Sequence, residues 1–453
     1  MNSSNRLKNN VLFLPLIFSF LHFSTNIQAQ NSKDTLENQL TVQAQFRPKF
    51  ELRAGAFKPL SSNDKPAALI SERFRLTADY SYKDILSLRI SPQSVGIWGQ
   101  ANMVQGVEYS GNKIALFEAW TQLKLSNNWN VKLGRQVISL DDERFFGELD
   151  WAQGGRAHDA VALQFKKSKF EFKSYLAFNQ NYKAIYNNNS SNPSGNLYNT
   201  TDAFPYKNMQ TLWMSTPISK HSKLTALFTN LGLQNAASAN VDADLNYTQT
   251  FGANLFHASE AFNGNVSAYY QTGKNITGTK TQAYLIAAAA GVTINKQWNM
   301  GTGSDLVSGN DVGKASNTNK AFNPYFHTGH KFYGFMDYFY VGNSHKNAGL
   351  SDTYLKLNYK SQKGLLLNMA FHQFYTPNHV LEGTKEYSKN LGQELDLTFG
   401  YKLNKFTNFS GGYSFYVTSP TINYLKTTPN AKDLQQWFWL SLNINPTIFK
   451  NNF

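Results

Sequence analysis

No cysteine occurs among the 453 residues, so the chain has no disulfide framework, no thiolate metal site, no thiol nucleophile and no lipidated amino-terminal cysteine. Long hydrophobic runs are missing too. Nowhere do about 18 apolar residues stand together, which excludes a membrane-spanning helix. Charged residues make up 16% of the sequence and hydrophobic residues 41%, against 15% aromatics, and the formal net charge is +14. Two classes survive for such a basic, aromatic-rich, polar chain. One is a secreted β protein, and the other is a membrane β-barrel, in which half of every strand is free to be polar.

The amino terminus indicates export. Arg6 and Lys8 precede an apolar segment from Val11 to Phe23, and Ile27-Gln28-Ala29 forms a cleavage site before Gln30. The apolar segment is too short to span a bilayer as a helix, so residues 1–29 read as a removable secretory signal. Residues 30–453 then form the mature domain.

Period-two alternation dominates that domain. From Thr41 to Arg53 every odd position is polar, including Arg47, Lys49, Glu51 and Arg53, and the even positions from Val42 to Ala54 are apolar. The pattern recurs from Ser71 to Tyr82, with Arg73, Arg75 and Asp79 opposite Phe74, Leu76 and Tyr80. After a Lys83-Asp84 turn it resumes with Arg89 opposite Leu88 and Ile90. A strand sends alternate side chains to opposite faces, so each segment has one wet and one greasy face. Segments of about 10 to 13 residues suit a tilted strand crossing a bilayer. Short turns, as at Lys167-Ser168 and Asn404-Lys405, alternate with long polar loops at 99–111, 141–156, 181–206, 235–246, 309–351, 377–390 and 418–432. That asymmetry is the mark of a transmembrane antiparallel β-barrel with short periplasmic turns and long extracellular loops. Pairing segments across the turns predicts about 18 strands, with 16 as the alternative, and hence an aqueous lumen. Tyr284 to Val292 is the weakest strand, since its four alanines favour helix. Trp98, Trp129, Trp151, Trp213, Trp298, Trp437 and Trp439 are expected in interfacial girdles. Phe453, a terminal aromatic, resembles the signal read by barrel-assembly machinery, an expected partner alongside outer-membrane lipid.

Arginine is unevenly distributed. All nine lie at or before Arg156, and eight lie between Arg47 and Arg156. By alternation Arg47, Arg53, Arg73, Arg75 and Arg89 share the polar face, because a lipid-facing guanidinium near mid-membrane costs about 2–4 kcal/mol. Arginine keeps its charge and offers a planar fork to carboxylates, phosphates or sulfates, so this face forms an anion ladder. Pairing with Glu51, Asp79 and Glu118 to stiffen the wall is the competing reading, and the two are compatible.

Other motifs carry little. Asp242-Ala243-Asp244-Leu245-Asn246 begins like a calcium loop, but Tyr247 replaces the required glycine and Ala253 the bidentate glutamate. Ser308 stands where a phosphate loop needs its first glycine, in the run to Ser316. His327 and His330 sit in a Gly/Pro/Asn-rich stretch that reads as loop rather than metal helix. No serine and histidine spacing singles out a hydrolase. The expectation is therefore no enzyme, no cofactor, no metal and no nucleic-acid partner.

Taken together, Arg47-Pro48-Lys49-Phe50-Glu51-Leu52-Arg53, Ile70 to Leu76, Leu133-Gly134-Arg135-Gln136 and above all Asp141 to Val161 resemble the alginate export porin family. Lys331 to Tyr340 and Leu391 to Tyr401 add to the resemblance. It implies an 18-stranded barrel with an arginine-rich, loop-gated pore passing a polyuronate. It adds Arg135, Arg144 and Arg156 to the basic lumen candidates, and Asp142, Glu143, Asp150, Glu394 and Asp396 to the acidic ones. Alternation disagrees at Arg135, which shares a face with Val131 and Leu133. Where such proteins often read Gln-Asp-Val-Arg, this chain has Gln93-Ser94-Val95-Gly96, which lacks one acid and one arginine. The expected function is a passive outer-membrane channel for anionic polysaccharide or oligosaccharide. A general or nutrient-specific anion porin is the alternative channel, and a structural or adhesive surface barrel with a plugged pore is the alternative from another functional class.

Overall fold

The computed structural model describes residues 38–99, 114–179, 206–234, 245–339 and 345–453. The secretory signal with its cleavage near Ala29, the Asp242 to Asp244 start of the calcium-like motif, and most of the 99–111, 181–206 and 235–246 loops lie outside these residues.

Alternating segments become strands because each can bury one face and hydrogen-bond both edges. In chain order they are β1 (Gln39–Ala54), β2 (Ala67–Tyr82), β3 (Leu86–Ile97), β4 (Ile114–Lys124), β5 (Trp129–Gln136), β6 (His158–Lys167), β7 (Phe170–Phe178) and β8 (Asn208–Pro217). There follow β9 (Ser222–Gln234), β10 (Leu245–Ala258), β11 (Phe262–Lys274), β12 (Lys280–Thr293), β13 (Trp298–Val307), the two-residue β14 (Thr318–Asn319), β15 (Leu350–Lys360) and β16 (Leu365–Tyr375). The chain ends with β17 (Val380–Glu382), β18 (Lys385–Tyr387), β19 (Asn390–Asn404), β20 (Thr407–Thr418), β21 (Leu434–Ile444) and β22 (Thr447–Asn452). Three of these, β14, β17 and β18, belong to loops, and β21 with β22 is one wall strand broken at Asn445-Pro446. The wall therefore has 18 strands, each antiparallel to its neighbours. It closes where β1 meets the last strand, with Arg53 opposite Trp437 and Gln39 opposite Asn452.

The two faces separate as the alternation requires. Phe46, Phe50, Leu52, Phe74, Leu88 and Ile90 are exposed on the outside, where a bilayer covers them. Their sequence neighbours point inward, and Arg73 is fully buried. The alanine-rich segment is strand in β12, fully paired with β11 and β13. Two ladders of backbone hydrogen bonds override its helix propensity, and Ala283 and Ala287 are buried where only small side chains fit. The last strand runs farther than the alternation indicates, through β22, because Pro446 interrupts the ladder without ending it.

The tryptophans do not all join girdles. Trp129 and Trp298 face outward beside Phe165 and Tyr359 near the short-turn end, with ring centroids 4.8 and 4.7 Å apart, and Trp98 is exposed at the other end. Trp213 and Trp437 are instead buried inside, Trp439 packs against the same core, and Trp151 stacks on His330. All four face the lumen, Trp213 from the middle of β8 and Trp151 from the loop between β5 and β6.

Gly134 shows how closely β4 and β5 approach. Its φ is +115°, and a Cβ there would lie 2.3 Å from the Ala119 carbonyl oxygen, backbone that cannot step aside. Gly134→Ala is expected to destabilise the barrel by about 1–3 kcal/mol, seen as a lower urea midpoint for loss of the heat-modifiable band on gels. An unchanged midpoint would show that β4 and β5 tolerate a wider separation.

Candidate functional site

Two loops fold into the lumen. One joins β5 to β6 (residues 137–157) and the other joins β13 to β15 (residues 308–349). Ile138, Leu140, Phe145 and Phe146 of the first, with Phe326, Phe332 and Met336 of the second, form one buried apolar cluster with inward side chains of strands between β6 and β21. Helix α1 (Pro420–Leu425), capped by the Ser419 hydroxyl accepting from the Ile422 N–H, adds Ile422 and Leu425. Strands β1 to β5 contribute no buried member to this cluster. Their inner face is mostly polar, with Phe117 and Trp120 among the charges, and Arg47, Arg53, Arg73, Arg75 and Arg89 are there.

Asp150 is the hub of that face. Arg73 donates from Nη1 to Oδ1 at 2.7 Å and from Nη2 to Oδ2 at 3.2 Å, and Arg75 donates to Oδ1 at 3.1 Å. Arg47 donates to the Asp150 and Ala152 carbonyls at 2.7 Å each. Its Nη1 lies 3.9 Å from the Asp150 carboxylate. Glutamines complete the shell: Gln45 accepts from Arg73, Gln93 from Arg75 and Gln153 from Arg47. Burial would raise the Asp150 pKa, but the hydrogen bond from Arg73 and the charges of Arg73, Arg75 and Arg47 outweigh it and hold the carboxyl below its ordinary value. Three guanidiniums thus share one carboxylate.

The other predicted residues of this arc pair locally. Glu51 accepts from Arg53 at 3.0 Å and from the Trp437 indole at 3.1 Å, with Lys49 3.6 Å away. The Lys49 ammonium lies 4.8 to 5.7 Å from the ring centroids of Trp437, Trp439 and Trp151, an aromatic cage closed by its own chain. Arg89 bridges Asp79 at 2.7 Å and Glu118 at 2.9 Å.

Arg144 and Arg156 serve the loops. Arg144 is buried in a bidentate pair with Asp305 of β13, at 2.8 and 3.0 Å, and also binds Asp142. Burial would lower its pKa, yet Asp305 and Asp142 outweigh that and raise it. Arg156 donates to the Phe326, His327 and Gly147 carbonyls, stapling one loop to the other. Glu143 accepts from Ser139 at 2.8 Å and faces Lys331 at 3.8 Å. On β19, three strands from β1 around the wall, Glu394 accepts the Met336 N–H at 2.8 Å and Asp396 the Phe335 N–H at 3.3 Å. These two acids anchor the second loop instead of standing free in the lumen.

Arg135 is a correction. It points outward with Leu133, and pairs with Asp159 at 2.8 Å one residue before β5 ends. No register shift intervenes between β5 and either neighbour, so it cannot reach the lumen. At the membrane rim an outward arginine costs only about 0–1 kcal/mol, which the ion pair offsets.

Four inward lysines escaped the arginine-centred reading. Lys132, Lys173, Lys223 and Lys356 have their ammonium groups 3.8, 4.9, 5.0 and 4.6 Å from the ring centroids of Trp120, Trp213, Phe256 and Tyr354. Alternation in β5, β7, β9 and β15 was the available signal. Lys356 also lines, with His330, Lys331 and Asn368, a cavity of about 230 Å³ between the second loop and the wall.

The Alginate export family matches residues 38–420 of the chain. No curated protein matches it in sequence. Among solved structures it is similar to Pseudomonas aeruginosa OccK1 (OpdK), at 10% identity and a TM-score of 0.59, over 91% of this chain and 99% of that one. OpdL of the same organism gives 10% and 0.60 over 90% and 99%, and Acinetobacter baumannii OccAB1 gives 11% and 0.60 over 90% and 97%. At these identities the likeness shows the fold.

Two predictions concern the loops. Asp150→Asn removes the shared counter-charge of three guanidiniums, so anion preference in planar bilayers should rise and the 137–157 loop should become more protease-sensitive; unchanged values of both would remove Asp150 as an anchor. Burial, followed by Arg156, pushes His327 down to about 3, and burial, followed by Lys426, pushes His345 down to about 4. Below the ordinary value of 6.5 a released loop binds protons that the docked loop refuses, so docking is favoured at neutral pH and weakens progressively toward pH 4. Hydrogen exchange of the Phe326 to Tyr338 segment should accelerate between pH 7 and 4 after correction for intrinsic rates, and less so in His327→Gln/His345→Gln.

Proposed function

Because the chain belongs to the alginate export family and is an outer-membrane β-barrel channel, we propose that it passes acidic oligosaccharides or polysaccharides, polyuronates of the alginate kind among them, by passive diffusion. The observation that carries this reading is the sharing of Asp150 by Arg47, Arg73 and Arg75, which leaves positive charge in excess on the inner face of β1 and β2. Low-dielectric walls focus such charge and raise the local concentration of anions. The interspersed acids Glu51, Asp79 and Glu118 shorten the stay of any polyanion, because a conducting site must release what it binds. No bond is made or broken in this mechanism. Insertion by barrel-assembly machinery is part of the same reading, supported by the aromatic Phe449 and Phe453 at the end of the last strand.

One observation favours a second reading, a channel for small anions. Described residues of the 137–157 and 308–349 loops pack an apolar cluster inside the lumen, a narrowing that suits small solutes better than a polymer unless the loops move. The described part of the second loop, residues 308–339 and 345–349, also folds inward, so that part is not displayed outward as an adhesive surface would require.

Reconstituted in a planar bilayer, the protein should prefer anions, and oligouronates should block the current carried by chloride. Arg73→Ala/Arg75→Ala should shift the reversal potential toward zero under a salt gradient. Cation preference would overturn both readings; anion preference without oligouronate block would select the small-anion channel.

A further inference from the structure

Charge compensation differs between the arginines and the lysines of the inner wall. Each inward arginine of β1 to β3 has a carboxylate partner. Lys132, Lys173 and Lys223 have no carboxylate within ion-pair distance among the described residues. The acids around them are already engaged. Glu118 accepts from Arg89 and the Trp120 indole, Glu171 accepts from Lys166, and Asp141 accepts from the Trp213 indole and Asn254.

What holds these lysines is an aromatic ring. Lys173 stands directly opposite Trp213 and Lys223 directly opposite Phe256 across their strand pairs, and Trp120 lies diagonal to Lys132. A ring face steadies the cation without neutralising it, and the ammonium's donors stay available to an incoming acceptor. Lysines near strand ends usually snorkel toward lipid headgroups. These three cannot, because they share the inner face with buried Trp213, Thr225 and Gln136.

They lie on β5, β7 and β9, every second strand, and the strand registers offset Lys173 by two residues from the level of Lys132 and Lys223 by four from the level of Lys173, so successive positions are about 12 and about 16 Å apart at the usual strand dimensions. Lys132 and Lys173 are three residues past the start of their strands and Lys223 one, all within about 10 Å of the short-turn, periplasmic end.

We propose that Lys132, Lys173 and Lys223 form a carboxylate-binding arc at the periplasmic mouth, where successive acid groups of an acidic saccharide dock before meeting the loops. The saccharide assignment rests on the function proposed above; the carboxylate site does not. A lysine arc without bound counter-charges captures an anion and releases it readily, whereas the arginine wall deeper inside is already committed to Asp150.

The test uses the full-length protein in planar bilayers, with citrate, an oligouronate and a neutral oligoglucose of equal length added to one side at a time. Periplasmic block by citrate and by oligouronate should weaken at least about tenfold in Lys132→Gln/Lys173→Gln/Lys223→Gln, roughly twofold to threefold per lysine. Block from the extracellular side should stay within about twofold. The corresponding triple Lys→Arg variant should retain the block, and Lys385→Gln, in the β17–β18 hairpin, should behave as the parent. Heat-modifiability on gels verifies that each variant folds. Periplasmic block by both acidic probes that is indifferent to the triple Gln substitution, or equal block by the neutral oligosaccharide, overturns the arc. Lysine-dependent block by citrate with no block by oligouronate upholds the arc and overturns the polyuronate reading.

Discussion

Hydrocarbon offers no partner to a peptide N–H or C=O, and every feature of this protein follows from how it meets that constraint. Eighteen strands hydrogen-bond edge to edge until β1 meets β21 and β22 and no edge remains. Once the sheet is closed, period-two geometry assigns every side chain to lipid or to lumen. Phe46, Phe50 and Phe74 must then face out, and Arg47, Arg73 and Arg75 must face in. The charge of the lumen is in this sense a by-product of satisfying the backbone. What the chain does with that charge is its own invention.

That invention is to divide the inner wall into two regimes. From β6 onward apolar side chains are interspersed with polar ones and with charged anchors such as Asp305, Glu394 and Asp396, and two loops pack on that wall much as a core packs in a soluble domain. From β1 to β4 it is charged, and the Asp150 segment lies against it through ion pairs and backbone carbonyls. Removing the carboxylate would leave three buried or half-buried guanidiniums to repel one another, a larger penalty than the attraction it supplies to any one of them. Both loops are also tied directly, through Arg156 and the carbonyls of Phe326 and His327.

The strands were legible in the sequence because alternation is local and strict. The 18 strands, the unequal connections and the inward face of Arg47, Arg73, Arg75 and Arg89 follow from reading residues two at a time. What could not be read locally was which inward residue meets which loop. Asp150 reaches Arg73 across 77 positions and Asp305 reaches Arg144 across 161, and no periodicity links such partners. Trp213 and Trp437 were misplaced for a related reason. An aromatic on an alternating strand suits a lipid-facing band or a packed lumen equally, and only infolded loops make the second favourable. At Arg135 the alternation and the family resemblance disagreed, and alternation was right, because a strand without a bulge leaves no freedom of face. The lysines of β5, β7 and β9 were equally legible, but attention to arginine's fork hid the fact that these lysines meet aromatic rings instead of carboxylates among the described residues.

The seam of the barrel has a temporal consequence. Gln39 pairs with Asn452, and their side chains hydrogen-bond at 2.9 Å across a sequence separation of 413 residues. Every other wall pairing joins neighbours in chain order and can form as soon as its hairpin exists. The seam alone needs both ends at once, and until it forms two full-length edges stand open, each able to template a foreign strand. Closure must therefore bring together the two most distant strands of the wall, and it tolerates a one-residue register shift between Val42 and Gln43 where β22 meets β1.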